Sequence, residues 1–226
     1  MLASVKKYLL ITSMTHRIVT HLVIPLAGLL FLVLMVLAAF ADGDTLTHLG
    51  FAIPPAILLT IYEVALDGQI FGGCMRGGES GMDLLKCSDD GMTFYKDVLT
   101  GDQLQRVFTH LFWVAVYVAA GEMIVHAGTY RAVRVWLVVA TGSYAIAQIF
   151  ICIGRLLASF TQISHVVTAF TCAMTGGAAF VLIETEAVGQ DMTPVVCFVC
   201  LFAGLGLSKW MITRGVRAKQ EEYYDR

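Results

Sequence analysis

Residues 107–128 read VFTHLFWVAVYVAAGEMIVHAG, and this stretch decides the class of fold. It contains a single charged residue, Glu122, among apolar and small side chains. A helix that crosses the hydrocarbon core of a bilayer needs about 20 consecutive, mostly apolar residues. The stretch therefore predicts a transmembrane helix.

Five other stretches share this length and apolar character. They lie at residues 21–41, 48–71, 135–157, 163–183 and 193–212. The stretch at 48–71 is the least regular because prolines and acidic residues interrupt it, although membrane helices tolerate proline where neighbouring groups satisfy the freed carbonyls. We therefore predict an all-α, polytopic membrane protein with six transmembrane helices that form a single domain over residues 1–226.

The composition supports the same class of protein. Of the 226 residues, 58% are hydrophobic and 14% are charged, whereas soluble domains carry about 25% charged residues. The longest polar segment, residues 72–106, is too short for a separate soluble catalytic domain, so we expect no enzymatic activity in this chain. A net charge of −2 gives no broad basic surface, which argues against nucleic acid as a partner.

Six cysteines are present, and four of them lie in apolar stretches, where a thiol behaves as a small hydrophobe. The other two lie in a loop that we place in the reducing cytoplasm, so no disulfide framework is predicted. Cys197 and Cys200 form a C-x-x-C pair, but no second pair and no βαβ context accompany it. We therefore interpret both as buried hydrophobes and predict no metal site.

Lysine and arginine indicate the orientation, because basic residues accumulate in loops that stay in the cytoplasm. With the N-terminus inside, all but two of the 15 basic residues lie in inner segments, the exceptions being Arg131 and Arg134. We therefore predict a multi-pass protein of the cell (plasma) membrane with both termini in the cytoplasm. Trp136 and Trp210 fall near the predicted interfaces, where aromatic side chains form belts.

Residues 2–20 differ from the membrane stretches. Apolar positions such as Val5 and Leu9 alternate with basic ones such as Lys6 and Lys7, which is typical of an amphipathic helix lying along the inner headgroups. The alternative is a plain cytoplasmic extension of the first span. We favour the interfacial helix.

The inner loop at 72–106 opens with a glycine-rich run and continues with two short amphipathic segments, residues 82–86 and 93–99. Thr100 or Asp102 would then cap the helix that enters the membrane at Val107. No phosphate-binding G-x-x-x-x-G-K-[ST] motif occurs. Short cytoplasmic helices with exposed leucine, phenylalanine and tyrosine typically dock onto another protein, although they also pack beneath their own bundle.

Polar residues interrupt the apolar stretches at Glu63, His110, Glu122 and His126. A charge in the membrane is costly and usually faces the interior of a bundle. Glu122 and His126 are one helical turn apart, so they can form a hydrogen-bonded pair. This pair raises a proton-coupled secondary transporter as one alternative. The other interpretation is structural, with side chains that snorkel to the interface or satisfy a contact between helices.

Six histidines raise a second alternative, a haem b-bearing membrane anchor subunit of a respiratory oxidoreductase. Membrane cytochromes hold haem between helices through paired imidazoles. The histidines here fall near the ends of the predicted spans, and no pair at matching depth stands out. The haem alternative stays open at this point.

The order of these parts resembles the transmembrane permease subunit of an ABC type-2, exporter-like transporter. The matching parts are the N-terminal helix at 2–20, the six spans, the segment at 82–99 as a coupling helix, and the outer loop at 184–191. The resemblance covers nearly the whole chain and rests on topology. Two features depart from the family: the last outer loop lacks re-entrant helices, and the coupling segment is not a recognisable variant of the usual one.

The resemblance implies a separate ATP-binding cassette subunit that holds ATP and Mg²⁺, and no cofactor in this chain. It also implies a homodimer, or a heterodimer with a second permease, embedded in the lipid bilayer. No catalytic residue is expected. The residues that would couple to the partner are Met82, Leu84, Leu85, Phe94, Tyr95, Val98 and Leu99. The candidates for lining the transport path are Tyr62, Glu63, Glu122 and His126.

Overall fold

The computed structural model describes residues 2–11, 18, 22–23, 26–30, 33, 36–37, 52–64, 90–125, 129–156 and 193–224. Within these ranges every residue is helical except the turn at Asp90, and no strand occurs. The predicted all-α class is confirmed for this part of the chain.

Five helices make up most of the described residues. They are α1 (Leu2–Ile11), α2 (Ala52–Val64), α3 (Gly91–Val125), α4 (Thr129–Leu156) and α5 (Thr193–Tyr224). Helix α3 packs against α1, α4 and α5, and α4 packs against α5. The predicted span at 163–183 lies outside the described residues, and so does most of the one at 21–41.

In the part of the chain that the structure describes, two helical stretches are long and apolar enough to cross a membrane. They are Thr129–Ile153, with 25 residues, and Thr193–Arg214, with 22 residues. Helix α2 is also apolar but shorter. By length and composition these helices suggest membrane association, whereas the six-span topology and the cytoplasmic location of both termini stay predictions.

Helix α3 is longer than its predicted membrane span. The backbone N–H of Phe94 donates to the carbonyl of Asp90 at 2.9 Å, so the helix begins beside Asp90. With 35 residues α3 is about 50 Å long, compared with about 30 Å for the hydrocarbon core. One end of α3 therefore has the length to project well beyond a membrane.

The predicted break between the segment at 93–99 and the membrane helix is wrong. The Thr100 hydroxyl donates back to the carbonyl of Lys96 at 2.7 Å, as a threonine inside a helix does. Asp102 accepts from Arg106 one turn later. Because both candidate capping side chains are engaged within α3, neither begins a new helix.

An apolar core joins α2, α3 and α4 at one end of the bundle. Its buried members are Ala52, Ala56, Val114, Val118, Ala132, Val135, Val139 and Ala140. Trp136 packs against this cluster, and its indole N–H donates to the carbonyl of Leu111 at 2.8 Å. The indole thus finds its polar partner on the neighbouring helix, and the interfacial position of Trp136 stays a prediction.

Contacts at the two ends of the bundle fix the direction of the helices. Near the start of α4, Arg134 donates to the Thr193 hydroxyl at 2.9 Å, so α5 begins at the same end as α4. Near the other end, Met211 packs with Ile151 and Cys152. Helices α4 and α5 are thus parallel, as expected of the predicted fourth and sixth spans, which cross in the same direction.

Much of the apolar surface of α5 faces outward. Only 28% of its membrane-length stretch is buried, and the neighbouring rings of Phe198 and Phe202 are both exposed, with centroids 4.1 Å apart. Trp210 is exposed near the opposite end of that stretch, beneath the guanidinium of Arg214. Contiguous exposed apolar surface of this kind is expected of a helix that faces lipid.

Candidate functional site

A polar cluster of Glu63, His110, Ser143 and Tyr144 lies between α2, α3 and α4. The imidazole of His110 is fully buried, with Nδ1 2.8 Å from Ser143 Oγ and Nε2 3.1 Å from Glu63 Oε2. The Tyr144 ring meets the imidazole edge to face, with 6.2 Å between the centroids. Glu63 is only 6% exposed. The cluster therefore brings an acid and a base together away from solvent.

The hydrogen-bond network assigns the tautomer of His110. Ser143 has one hydroxyl hydrogen, which it donates to the carbonyl of Ala140 at 3.1 Å. Ser143 Oγ therefore accepts from His110, and Nδ1 carries a hydrogen. In the neutral imidazole, Nε2 then carries a lone pair and no hydrogen.

Three of the four side chains carry a buried polar atom that has no hydrogen-bond partner among the described residues. Neither Glu63 Oε2 nor His110 Nε2 makes a well-aligned hydrogen bond, although the two atoms lie at ion-pair distance. The Tyr144 hydroxyl is also buried without a partner in this part of the chain, as are both polar atoms of Gln148 one turn further along α4. An unsatisfied buried polar group costs about 1–3 kcal/mol, so such a concentration marks a candidate site.

A buried ion pair lies on α3, on the N-terminal side of His110. The Nε and Nη2 atoms of Arg106 each lie 2.9 Å from Asp102 Oδ2, and both side chains are almost fully buried. The Gln103 amide nitrogen is 3.4 Å from the same oxygen. Because buried charges persist only when paired, Asp102 and Arg106 neutralise each other inside the protein.

The predicted path-lining residues do not lie together in the structure. Glu63 belongs to the polar cluster, and Tyr62 is half-buried beside it in sequence. Glu122 is half-buried about 18 Å further along α3 than His110, so it does not join the cluster. His126 lies outside the described residues, and the Glu122–His126 pair stays a prediction.

Sequence reasoning missed Ser143, Tyr144 and the pairing of Glu63 with His110. A signal for part of the cluster was present, since Asp102, Arg106 and His110 follow one another at intervals of four and so share one face of a helix. Serine and tyrosine inside α4 carry no such signal, because both are ordinary residues of membrane helices.

A second candidate feature lies at the start of α3, where α1 packs against it; we name α1 and residues 91–99 the foot. The Lys7 ammonium pairs with the Asp97 carboxylate and lies 5.5 Å from the centroid of the Phe94 ring. One charge thus binds an acidic and an aromatic side chain of α3 at once.

The predicted partner-coupling residues divide at the foot. Phe94 is half-buried, whereas Val98 and Leu99 are buried in the chain's own interior. The prediction that Val98 and Leu99 face a partner is wrong, because they share the buried face of α3 with Asp102 and Arg106. Met82, Leu84, Leu85 and the side chain of Tyr95 lie outside the described residues.

The arrangement around His110 does not fit a haem ligand. Nδ1 faces Ser143, and Nε2 lies 3.1 Å from Glu63 Oε2, so the carboxyl of Glu63 occupies the place that an iron atom would take. Over the described ranges, no three histidine, cysteine or acidic side chains come together as a metal site. The cluster consists of a carboxyl, an imidazole and two hydroxyl groups. Comparison of the chain with protein-family models, with curated proteins and with solved structures gave no match.

Proposed function

We propose that the chain is the membrane-spanning permease subunit of an ATP-driven transporter, an exporter, and that it works with a separate ATP-binding subunit. The observation that carries the proposal is the foot. There α1 is held against the first turns of α3 by Lys7, through Asp97 and Phe94. A partner that binds the foot would therefore contact two helices, α1 and α3, that are already joined to each other.

Helix α3 provides the mechanical link from the foot to the bundle. It runs without a break from Gly91 to Val125, past the ion pair of Asp102 and Arg106 and on to His110. A displacement of its first turns is therefore passed to the polar cluster by a continuous rod rather than through a hinge. This continuity supports a coupling role for the foot more strongly than two separate short helices would.

The driving force would come from the partner. A ligand shifts a conformational equilibrium only by the difference in its affinity for the two states. ATP that binds preferentially to a closed ATPase dimer would push on the feet of two permease copies and change the exposure of a path between them. This chain would supply the path and the lever, and hydrolysis would take place in the partner.

The test is the double substitution Phe94→Asp with Tyr95→Asp, made in the tagged full-length chain. We expect the variant to insert into the membrane but to lose both association with the ATP-binding subunit and ATP-dependent transport. Co-purification from detergent-solubilised membranes and transport into inverted vesicles measure the two effects.

Thr213→Asp is the matched control, because Thr213 is exposed on α5 and lies outside the foot. It should leave association and transport unchanged. Purification of the wild-type chain without any ATPase, or normal association in the double variant, contradicts the proposal.

A further inference from the structure

The contact between Glu63 and His110 is incomplete as it stands. Nδ1 of His110 donates to Ser143, so Nε2 of the neutral imidazole carries a lone pair and no hydrogen, and it lies 3.1 Å from Glu63 Oε2. An ionised carboxylate offers lone pairs as well. Two acceptors at this distance repel each other unless a hydrogen lies between them.

We propose that Glu63 and His110 together form a proton-binding site inside the helical bundle. When the site is occupied, the pair holds one proton, either on the carboxyl of Glu63, which then faces a neutral imidazole, or on the imidazole, which then faces a carboxylate at ion-pair distance. When the proton leaves, a carboxylate and a neutral imidazole remain. This inference goes beyond the proposed function, because it concerns a property of the isolated chain.

The groups around Glu63 and His110 leave the proton to balance the charge of the Glu63 carboxylate. Asp102 and Arg106 on α3 neutralise each other, and the Tyr144 hydroxyl on α4, which lies within electrostatic range of Glu63, Asp102 and Arg106, is uncharged. Helix α5 presents Gly204 to the Tyr144 ring. The occupied pair is therefore neutral overall, whereas the empty pair leaves a buried carboxylate in an interior where Arg106 is already paired with Asp102.

Proton occupancy is thereby linked to the position of α2. Glu63 is the polar contact of α2 with the centre of the bundle, next to Leu59 and Thr60, which are also buried. Loss of the proton turns this contact from attraction into repulsion and favours separation of α2 from α3. A carboxyl and an imidazole that face each other across two helices thus act as one titrating unit.

The experiment counts protons. The full-length chain is purified into lipid nanodiscs without any ATP-binding subunit. The pH is then lowered from alkaline to acidic, and a soluble pH indicator reports how many protons the protein takes up. We expect Glu63→Gln, His110→Gln and the double variant each to take up about one proton fewer than the wild type, because the titration belongs to the pair rather than to either residue.

Glu122→Gln is the matched control, since it removes a carboxyl from α3 at a distance from the cluster. In a double variant, the change in proton uptake caused by Glu122→Gln should simply add to the change caused by Glu63→Gln. If the two changes do not add, the coupling is not specific to Glu63 and His110, and the proposal is overturned. Three other results also overturn the proposal. They are losses of proton uptake that add up in the double variant of Glu63 and His110, a loss in only one of the single variants, and no loss in either.

Ser143→Ala provides an independent test that keeps both titrating groups and serves if Glu63→Gln or His110→Gln does not fold. It removes the acceptor of the Nδ1 hydrogen. We expect the same number of protons to be taken up over a different pH range. An uptake curve identical to that of the wild type would show that Ser143 does not orient His110 and would remove the basis for the site.

Discussion

At the scale of single residues, Gly204 sets how closely α5 approaches α4. A Cβ at this position would lie 2.7 Å from Cε1 of Tyr144 and 3.4 Å from the Cα of Ala145. At Gly206, two residues further along, a Cβ would meet nothing within 4 Å. Gly204 and Gly206 are therefore chemically identical, but only Gly204 lies where an added side chain would meet a neighbouring helix.

Gly204→Ala should destabilise the protein by about 1–3 kcal/mol, because the added methyl group displaces the Tyr144 ring or separates the helices. Gly206→Ala should be neutral or stabilising by up to about 1 kcal/mol, since alanine is the better helix former. Unfolding of each variant in nanodiscs measures the difference. Equal effects of the two substitutions would mean that α5 does not pack against Tyr144 as the structure shows.

The residue scale also shows the limit of what sequence predicts. Glu63 and His110 are recognisable as candidates because a charged or titratable side chain in an apolar stretch is rare. Their pairing is not recognisable, since 47 positions separate them and only the packing of α2 on α3 brings them together. Gly204 likewise has no sequence feature that sets it apart from Gly206.

At the scale of elements, the helical class and the apolar parts of α3, α4 and α5 follow from the sequence. The prediction fails at the start of α3, where threonine and aspartate resemble capping residues. In the structure Thr100 bonds back to Lys96 and Asp102 pairs with Arg106. Capping residues and buried helical residues share the same side chains, so only the tertiary partner distinguishes them.

The foot allows a prediction about the contact between α1 and α3. Lys7→Asp should weaken the packing of α1, because it places two carboxylates together, and Asp97→Lys should do so by placing two ammonium groups together. The double variant Lys7→Asp with Asp97→Lys should recover most of the loss. Each single effect is expected to be about 0.5 kcal/mol, since both side chains are about one-third exposed and surface pairs contribute little.

Protection of α1 from limited proteolysis measures this effect. Lys6→Asp is the control, because Lys6 is exposed on the same helix and carries the same charge. If the charge-swapped double variant is as protease-sensitive as the single variants, Lys7 and Asp97 do not hold α1 on α3.

At the scale of the whole molecule, charged residues lie at the two ends of the helical bundle and apolar surface lies between them. The foot lies at one end, with Lys209 and Arg214 exposed near the corresponding end of the α5 stretch. Arg131 lies at the opposite end, near the start of α4. Between them lie the apolar core, the buried polar cluster and the outward-facing apolar side chains of α5. This arrangement is expected of a bundle whose middle section lies in a bilayer.

This arrangement predicts which residues share a face of the membrane. Lys96 on the foot, Tyr130 at the start of α4 and Thr213 near the inner end of α5 are all exposed. If the foot is cytoplasmic, a cysteine at Lys96 or Thr213 should react with a membrane-impermeant maleimide only after the cells are permeabilised, whereas a cysteine at Tyr130 should react in intact cells. Labelling is measured as the increase over the wild-type chain, which has cysteines of its own.

The reverse pattern would leave the bundle intact but place the foot outside, where no ATP-binding subunit could reach it, and would remove the proposed function. Labelling of Lys96 and Thr213 from opposite faces would go further, because it contradicts the parallel course of α4 and α5 that the contact of Arg134 with Thr193 requires. The same three cysteines therefore test the orientation separately from the fold. A pattern with Tyr130 alone accessible supports both at once.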